Sequence, residues 1–241
     1  MQTAALYLSP AAFARPAEQM ALDTSDMRTQ AFMAYLTDPT RLIANPGLKV
    51  GVRDDVLALS LVIDKWKQQA YSSPLNNYIV RRRVVTPRGV MFSYPGASVT
   101  HDADPTTSAW YHTAVTMPGL VTLSPPHLDL GGAGYIVTMT SAVTTNNTPV
   151  AVIATDFTQG YFDKIVNDTL GDMCHQANVT CFMMDHHGHL LSHPAMRVTR
   201  SHQSLHLTHL EPDVATDLLS DKHPGFMVKS VCRQHSTRQI S

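Results

Sequence analysis

Histidine is the most conspicuous chemistry-bearing residue of this 241-residue chain, which carries thirteen of them. His186, His187, His189 and His193 lie close together, and His202, His206 and His209 follow at about one helical turn from each other. Neutral imidazole is a common metal ligand, but the zinc hydrolase pattern His-Glu-X-X-His puts two ligands and a base on one helix face. That pattern is absent, and the first histidine group straddles a turn at Gly188, where side chains point to different faces. No cysteine pair has zinc-ligand spacing. The histidines read as solvent-facing, and no metal is expected.

Other reactive arrangements are also missing. No serine occupies a Gly-X-Ser-X-Gly elbow. Gly131-Gly132-Ala133-Gly134 runs into Tyr135–Thr140, a β-branched and aromatic stretch of strand length, whereas a phosphate-cradling loop runs into a helix. Asp54 and Asp55 sit beside basic residues on a predicted helix and read as a solvated face. The expectation is a non-enzyme with no cofactor.

Composition narrows the partners. Eighteen basic residues against nineteen acidic ones leave a net charge of -1, which argues against nucleic acid or an anionic membrane held by bulk electrostatics. With 44% apolar and 15% charged residues the chain is able to bury a core. No apolar run approaches the roughly 20 residues that span a bilayer, and Met1–Tyr7 lacks the features of a signal peptide. Taken literally, that describes a cytosolic protein.

Other residues point outside the cell. Asn146, Asn167 and Asn178 each open an Asn-X-Thr acceptor, although Pro149 directly after Thr148 makes the first a poor one. Cys174 and Cys181 flank the polar segment 175–180, which suits a short disulfide-closed loop in an oxidising compartment; the alternative is two buried thiols. Cys232 is left over. A fragment of a longer secreted or membrane-anchored protein is therefore expected.

The elements that must position these residues follow from periodicity. Residues 1–16 show no sustained period. Met20, Met27, Ala31, Phe32, Tyr35 and Leu36 predict a helix from Ala17 that ends before Pro39, and a second runs from about Arg53 to Ala70 on Val56, Leu59 and Trp66. Tyr78–Val85 and Val90–Tyr94 predict a hairpin around 86–89. Asp104-Pro105 starts a short helix bearing Trp110 and Tyr111, stopped by Pro118-Gly119. Strands follow at Leu120–Ser124, Gly134–Val143 and Val150–Phe157, then a helix at Thr158–Leu170. A small hairpin, Cys181–Asp185 with Leu190–Ser192, and a short helix near Val214–Leu219 close the reading. The fold class is α+β, built on an antiparallel sheet with long N-terminal helices. Its expected organisation is a helical segment over 1–77, a sheet domain over 78–157, and a linking helix with a partial smaller α+β unit over 158–241.

This chain resembles a Cache domain, the extracellular relative of the PAS sensor fold. The residues carrying the likeness are Tyr94-Pro95-Gly96, then Asp104-Pro105-Thr106 with Trp110-Tyr111 and Ala114, then Asp129–Thr138 followed by Pro149–Asp156. Cys174, the run Cys181–Leu190 and His209–Pro212 make it more closely similar to the VWFA and Cache domain-containing family, relatives of the α2δ auxiliary subunits of voltage-gated calcium channels. The resemblance implies a membrane glycoprotein whose anchor and von Willebrand A domain lie in other parts of the parent chain. Asp23-Thr24-Ser25 has the start of that A domain's metal loop, but Met27 replaces the second serine, so it reads as helix surface. Implied partners are membrane channel or receptor subunits, or a small amine or amino acid.

The same resemblance implies a candidate pocket of Ser108, Trp110, Tyr111, His127, Asp129, Tyr135 and Asp156. Cache domains that sense amino acids clamp the ligand carboxylate with an arginine two residues before the Trp-Tyr pair, and accept its ammonium with a later aspartate. Trp110, Tyr111 and Asp156 match those positions, and Ser108 stands where the arginine belongs. A hydroxyl in place of a charge-assisted pair costs about 1.5–3 kcal/mol. Arg81, Arg82, Arg83 and Arg88 on the neighbouring hairpin are the candidates to swing in for it, although alternation sends successive arginines to opposite faces. In a pocket kept only as packing, Trp110 and Tyr111 are core aromatics and Asp156 caps the next helix.

Overall fold

A computed structural model describes residues 3–15, 26–70, 72–96, 104–129, 132–176, 179–185, 187–198 and 205–219. Asp23–Ser25, Leu130, Gly131, Asn178, His186, His202, Cys232 and the expected helical start at 17–25 lie outside the described residues. The chain divides into two compact units, one of Met1–Ser124 with Thr138–Phe157, the other of Pro125–Val137 with Thr158–Ser241.

The first unit is an antiparallel sheet clothed by helices. Its strands are β1 (Ala5–Leu8), β2 (Ile79–Val85), β3 (Val90–Tyr94), β4 (Val121–Leu123), β6 (Gly134–Thr145) and β7 (Thr148–Thr158), in the order β1-β3-β2-β7-β6-β4. The remaining strand β5 (His127–Asp129) pairs with the start of β6. Asn146 and Asn147 turn β6 into β7 with φ of 50° and 61°, the two left-handed residues of a tight hairpin. β1 falls in a stretch without sequence period. It is a strand because the edge of β3 supplies its hydrogen bonds, with Ala5 opposite Ser93 and Leu8 opposite Val90.

Alternation splits the sheet into two apolar layers. Helix α1 (Asp26–Thr37) contributes Leu36, and α2 (Val52–Gln69) contributes Val52, Val56 and Leu59, to a layer with Val84, Val90 and Ala151. Their immediate neighbours Val85, Met91 and Val152 face the other way and pack with Tyr111 and Ala114 of α3 (Ala109–Thr116). The spacing of Val52, Val56 and Leu59 is one face of a helix, and Asp54 and Asp55 in its first turn suit the helix dipole. Asp55 is not merely solvated: it pairs with Arg88 at 2.7 Å, tying α2 to the β2–β3 turn.

The segment before α3 departs from the expected single helix. Asp104 caps a 3-10 turn, Pro105–Thr107, by accepting from the Thr106 amide at 2.9 Å. Ser108 is then extended (φ -71°, ψ 147°), and α3 starts afresh at Ala109.

Between α1 and α2, Asp38 organises its own loop. One carboxylate oxygen accepts from the Thr40 amide and hydroxyl at 2.8 and 2.6 Å, the other from the Ile43 amide at 3.0 Å. The Thr40 hydroxyl, then the Ile43 amide, hold its pKa down at about 2. A lowered folded pKa contributes stability that is complete above the ordinary value of 3.8 and lost as pH falls through about 2. The Asp38 carboxyl carbon is expected to titrate near pH 2 in an NMR series; a midpoint near 4 contradicts this loop geometry.

The second unit holds the β5–β6 hairpin start, helix α4 (Gln159–Cys174), and strands β8 (Met183–Met184) and β9 (Leu190–Ser192). Short helices α5 (Pro194–Val198), α6 (Leu207–Leu210) and α7 (Pro212–Leu219) complete it. Its core is Leu190, Leu207 and Ala215, with Phe182, Met184, Met196 and Leu210 packed around them.

Candidate functional site

The site begins with strand register. β2 pairs with β7 so that Arg81 lies opposite Asp156, Arg82 opposite Thr155 and Arg83 opposite Ala154. Arg81, Arg83 and Val85 therefore share the α3 side of the sheet with Asp156, and Arg82 points away to bond Asn76 at 2.5 Å. Burial lowers the Arg82 pKa on that opposite side.

Asp156 is the centre of the arrangement, its side chain only 1% exposed. One carboxylate oxygen accepts from Arg83 Nη2 at 2.6 Å and from the Thr138 hydroxyl at 2.8 Å. The other lies 2.9 Å from Arg81 Nε, an ion pair whose geometry is too oblique for a directed hydrogen bond. Two guanidinium groups thus share one buried carboxylate. The Arg83 guanidinium carbon stands 4.9 Å from the Trp110 ring centroid, a cation–π contact of about 0.5–2 kcal/mol. Thr122 and Thr140 hydroxyls bond each other at 2.6 Å on the same unit's strands β4 and β6.

The other expected pocket residues fall out as follows. Trp110 is half-buried over Arg83, and Tyr111 is a core aromatic among Val85, Met91 and Val152. Burial, then the Asp104 charge, raises the Tyr111 phenol pKa. Ser108 donates its hydroxyl to Pro105 O at 2.6 Å, closing the 3-10 turn. Asp156 does not cap α4: the residue at that position is Thr158, without a side-chain bond, and the carboxylate is spent on the arginines. His127, Asp129 and Tyr135 belong to the second unit. There Asp129 accepts from the Ala133 amide at 3.1 Å and stabilises the glycine turn, while exposed His127 bonds Pro125 O at 3.1 Å.

Thr138 was not singled out by residue pattern, and Arg81 and Arg83 were named only together with Arg82 and Arg88 as arginines of the neighbouring hairpin. The usable signal was that Arg81 and Arg83 are two apart, hence on one face, while only the β2–β7 register shows which face carries Asp156.

Cys174 and Cys181 are joined in a disulfide. Asn167 is exposed on α4, and Asn146 is exposed in the β6–β7 turn.

The histidines are not all solvent-facing. His193 is 5% exposed and His206 8%, because each ring replaces a missing backbone partner. His193 Nδ1 accepts from the Ala195 amide at 3.1 Å, and Nε2 faces Glu211 at 3.1 Å. His206 Nδ1 accepts from the Thr208 amide at 3.2 Å, so Nε2 carries the proton donated to His187 O at 2.8 Å. Among the described residues no group of three or more His, Cys, Asp or Glu is placed to hold a metal. Nor is any helix among them long and apolar enough to cross a membrane.

An antiparallel sheet with long helices on one face, and an aromatic-capped polar cluster beside α3 on the other, defines a Cache module. The family model of the CACHD1 central domain matches residues 1–159, and the chain belongs to that family. The VWFA and cache domain-containing protein CG16868 of Drosophila melanogaster is 30% identical over 265 residues, covering 100% of this chain and 18% of its own length. The methyl-accepting chemotaxis protein McpC of Bacillus subtilis (strain 168) is 28% identical over 120 residues, 50% of this chain and 18% of McpC. The chain thus spans under a fifth of the length of these curated relatives. Among solved structures, it is similar to the ligand-binding domain of the Pseudomonas aeruginosa PAO1 amino acid chemoreceptor PctB in complex with L-Arg. That likeness has 21% identity, a TM-score of 0.46, and covers 66% of this chain and 65% of that one. The ligand-binding domain of Pseudomonas fluorescens CtaA in complex with L-alanine gives 16% identity and a TM-score of 0.43, over 81% and 78%.

Proposed function

We propose that this chain is a non-enzymatic extracellular Cache module of an α2δ-like auxiliary protein, anchored through other parts of its parent chain. It acts by protein contacts on membrane channel or receptor subunits, voltage-gated calcium channels among them. Family membership supports the auxiliary assignment. The observation that carries protein contact ahead of amino-acid sensing is the pairing of Asp156 with two guanidinium groups of its own sheet. Arg83 and Thr138 bond one oxygen of the carboxylate that an amino-acid sensor keeps for the ligand ammonium, Arg81 lies in ion-pair range of the other, and Ser108 offers no guanidinium. Co-purification of the full-length protein with a channel pore subunit at endogenous levels is the test. Recovery of the parent protein without any pore subunit removes the channel part of the proposal.

A second reading, a small-molecule sensor, draws on one specific observation: a charged cluster is buried where plain apolar packing would cost less desolvation. Similarity to a chemotaxis protein supports it. Thermal-shift screening of common amino acids and small amines at millimolar concentration tests the form in which Trp110, Tyr111 and Asp156 hold an amine. A flat response removes that form.

A further inference from the structure

We propose that the free edge of strand β4 takes an extended, uncharged segment of a partner protein as an added strand. This rests on the protein-contact reading and names the surface and the kind of segment it meets.

The order of the sheet leaves this edge open. β4 ends the series β1-β3-β2-β7-β6-β4 and pairs with β6 alone. Hydrogen-bonded positions alternate along an antiparallel pair. Ser124 gives its amide to Thr138 O at 2.8 Å, so Thr122, two residues back and opposite Thr140, also directs its backbone to β6. Val121 and Leu123 therefore turn their N–H and C=O groups away from β6, and no strand among the described residues takes them. Main-chain donors and acceptors in a row at an edge are the template on which another chain adds.

Edges are commonly guarded by charged side chains. Here none of residues 105–128 is Asp, Glu, Lys or Arg. Leu120 and Val121 are 59% and 62% exposed, and exposed Met117 precedes them in the same turn. That turn is fixed: Pro118 and Gly119 (φ 82°) form its corner, and the Leu120 amide donates to Met117 O at 3.2 Å. A pre-formed apolar turn beside an unguarded edge needs little ordering on binding. β1, at the other edge, keeps all four side chains partly buried, with Leu6 and Leu8 packed on the core. Shortness is the one guard that β4 retains, so the added strand sets register while the turn supplies apolar area.

The occupant follows from the same chemistry. A charged segment would give up water beside β4 and find no opposite charge on residues 105–128. An uncharged segment of β-branched or aromatic residues escapes that cost and gains cross-strand contact with Val121. A second copy would bring its own turn at 117–120 against this one, whereas an extended segment is one strand wide.

The test uses the full-length parent protein with a voltage-gated calcium channel pore subunit. In hydrogen exchange, the Val121 and Leu123 amides are expected to slow roughly tenfold or more in the complex relative to the free protein. Leu120→Lys with Val121→Lys is expected to lower recovery of the pore subunit roughly tenfold or more. Val121→Pro, which removes an edge donor without losing a bond to β6, is expected to do the same. Leu57→Lys with Leu61→Lys, at exposed positions of α2, leaves recovery unchanged. Unaltered exchange in the complex, or full recovery with the edge variants, overturns the proposal and leaves the auxiliary reading standing. An equal loss from the α2 variant overturns it too. If the unaltered parent recovers no pore subunit, both fall. A dimer in light scattering that Val121→Pro dissolves gives the edge to a second copy and overturns the proposal as well. Should an edge variant fail to fold, the exchange measurement on the unaltered protein decides.

Discussion

Asp156→Ala is expected to lower the unfolding free energy of the first unit by about 3–5 kcal/mol, the usual cost of stranding buried charge. Asp156 is 1% exposed, and the Arg81 and Arg83 side chains it serves are 17% and 19% exposed. Alanine leaves both guanidinium groups desolvated with no counter-charge, and the Thr138 hydroxyl without its acceptor. The loss is not the worth of the ion pairs. Converting the whole set, with Arg81→Met and Arg83→Met added to Asp156→Ala, is expected to recover most of the stability, because apolar side chains of similar length pay no desolvation. Urea denaturation followed by tryptophan fluorescence reads this unit directly, since both tryptophans, Trp66 and Trp110, lie within it. A loss below about 1 kcal/mol for the single variant would mean that water reaches the cluster and that the charges are not truly buried.

The second large effect is expected at the β2–β3 turn. Gly89→Val should cost about 3 kcal/mol or more and release β1 from the sheet. Gly89 has φ of +80°, and a Cβ built there meets the Ser9 hydroxyl at 2.1 Å and Ala11 Cβ at 3.0 Å. Ser9 is fully buried, and its amide donates to Gly89 O at 2.9 Å. The valine thus strains its own backbone and drives apart the contact that docks β1 on β3. Adding Ser9→Ala to the milder Gly89→Ala should restore part of the loss by removing the clash, but not the part due to the left-handed backbone. Hydrogen exchange of the β1 amides separates the two contributions. Unchanged protection in Gly89→Val would show that β1 is held independently of this turn.

Much of this organisation was legible locally. Val56 and Leu59 at helical spacing placed α2 to within a residue or two, since one helix face needs only neighbours within a turn to be recognised. The Thr86–Gly89 and Asn146–Asn147 turns placed both hairpins because they require backbone angles that few residues adopt. Asp104 with Pro105 marked a helical start, although the break at Ser108 came from the chain's route and not from either residue. The family likeness, carried by Trp110-Tyr111 and the run ending at Asp156, agrees with the family to which the chain belongs.

Long-range placement was not legible in the same way. Residues 5–8 have no strand pattern of their own and became β1 only against β3. His193 and His206 looked exposed in a polar stretch, yet each fills a backbone hydrogen-bonding vacancy inside the second unit, which composition does not reveal. The site shows the division most clearly. Alternation alone put Arg81 and Arg83 on one face and Arg82 on the other. Which face held Asp156 depended on the register of β2 against β7, a pairing of residues 73 positions apart in the case of Arg83 and Asp156. A one-residue slip would have sent Arg82 to Asp156 and the other two arginines to the helices α1 and α2. Local sequence thus determined the residue types and their periods, and tertiary pairing decided that Asp156 is spoken for, because a carboxylate's partners are set by the strand beside it and not by its neighbours in the chain.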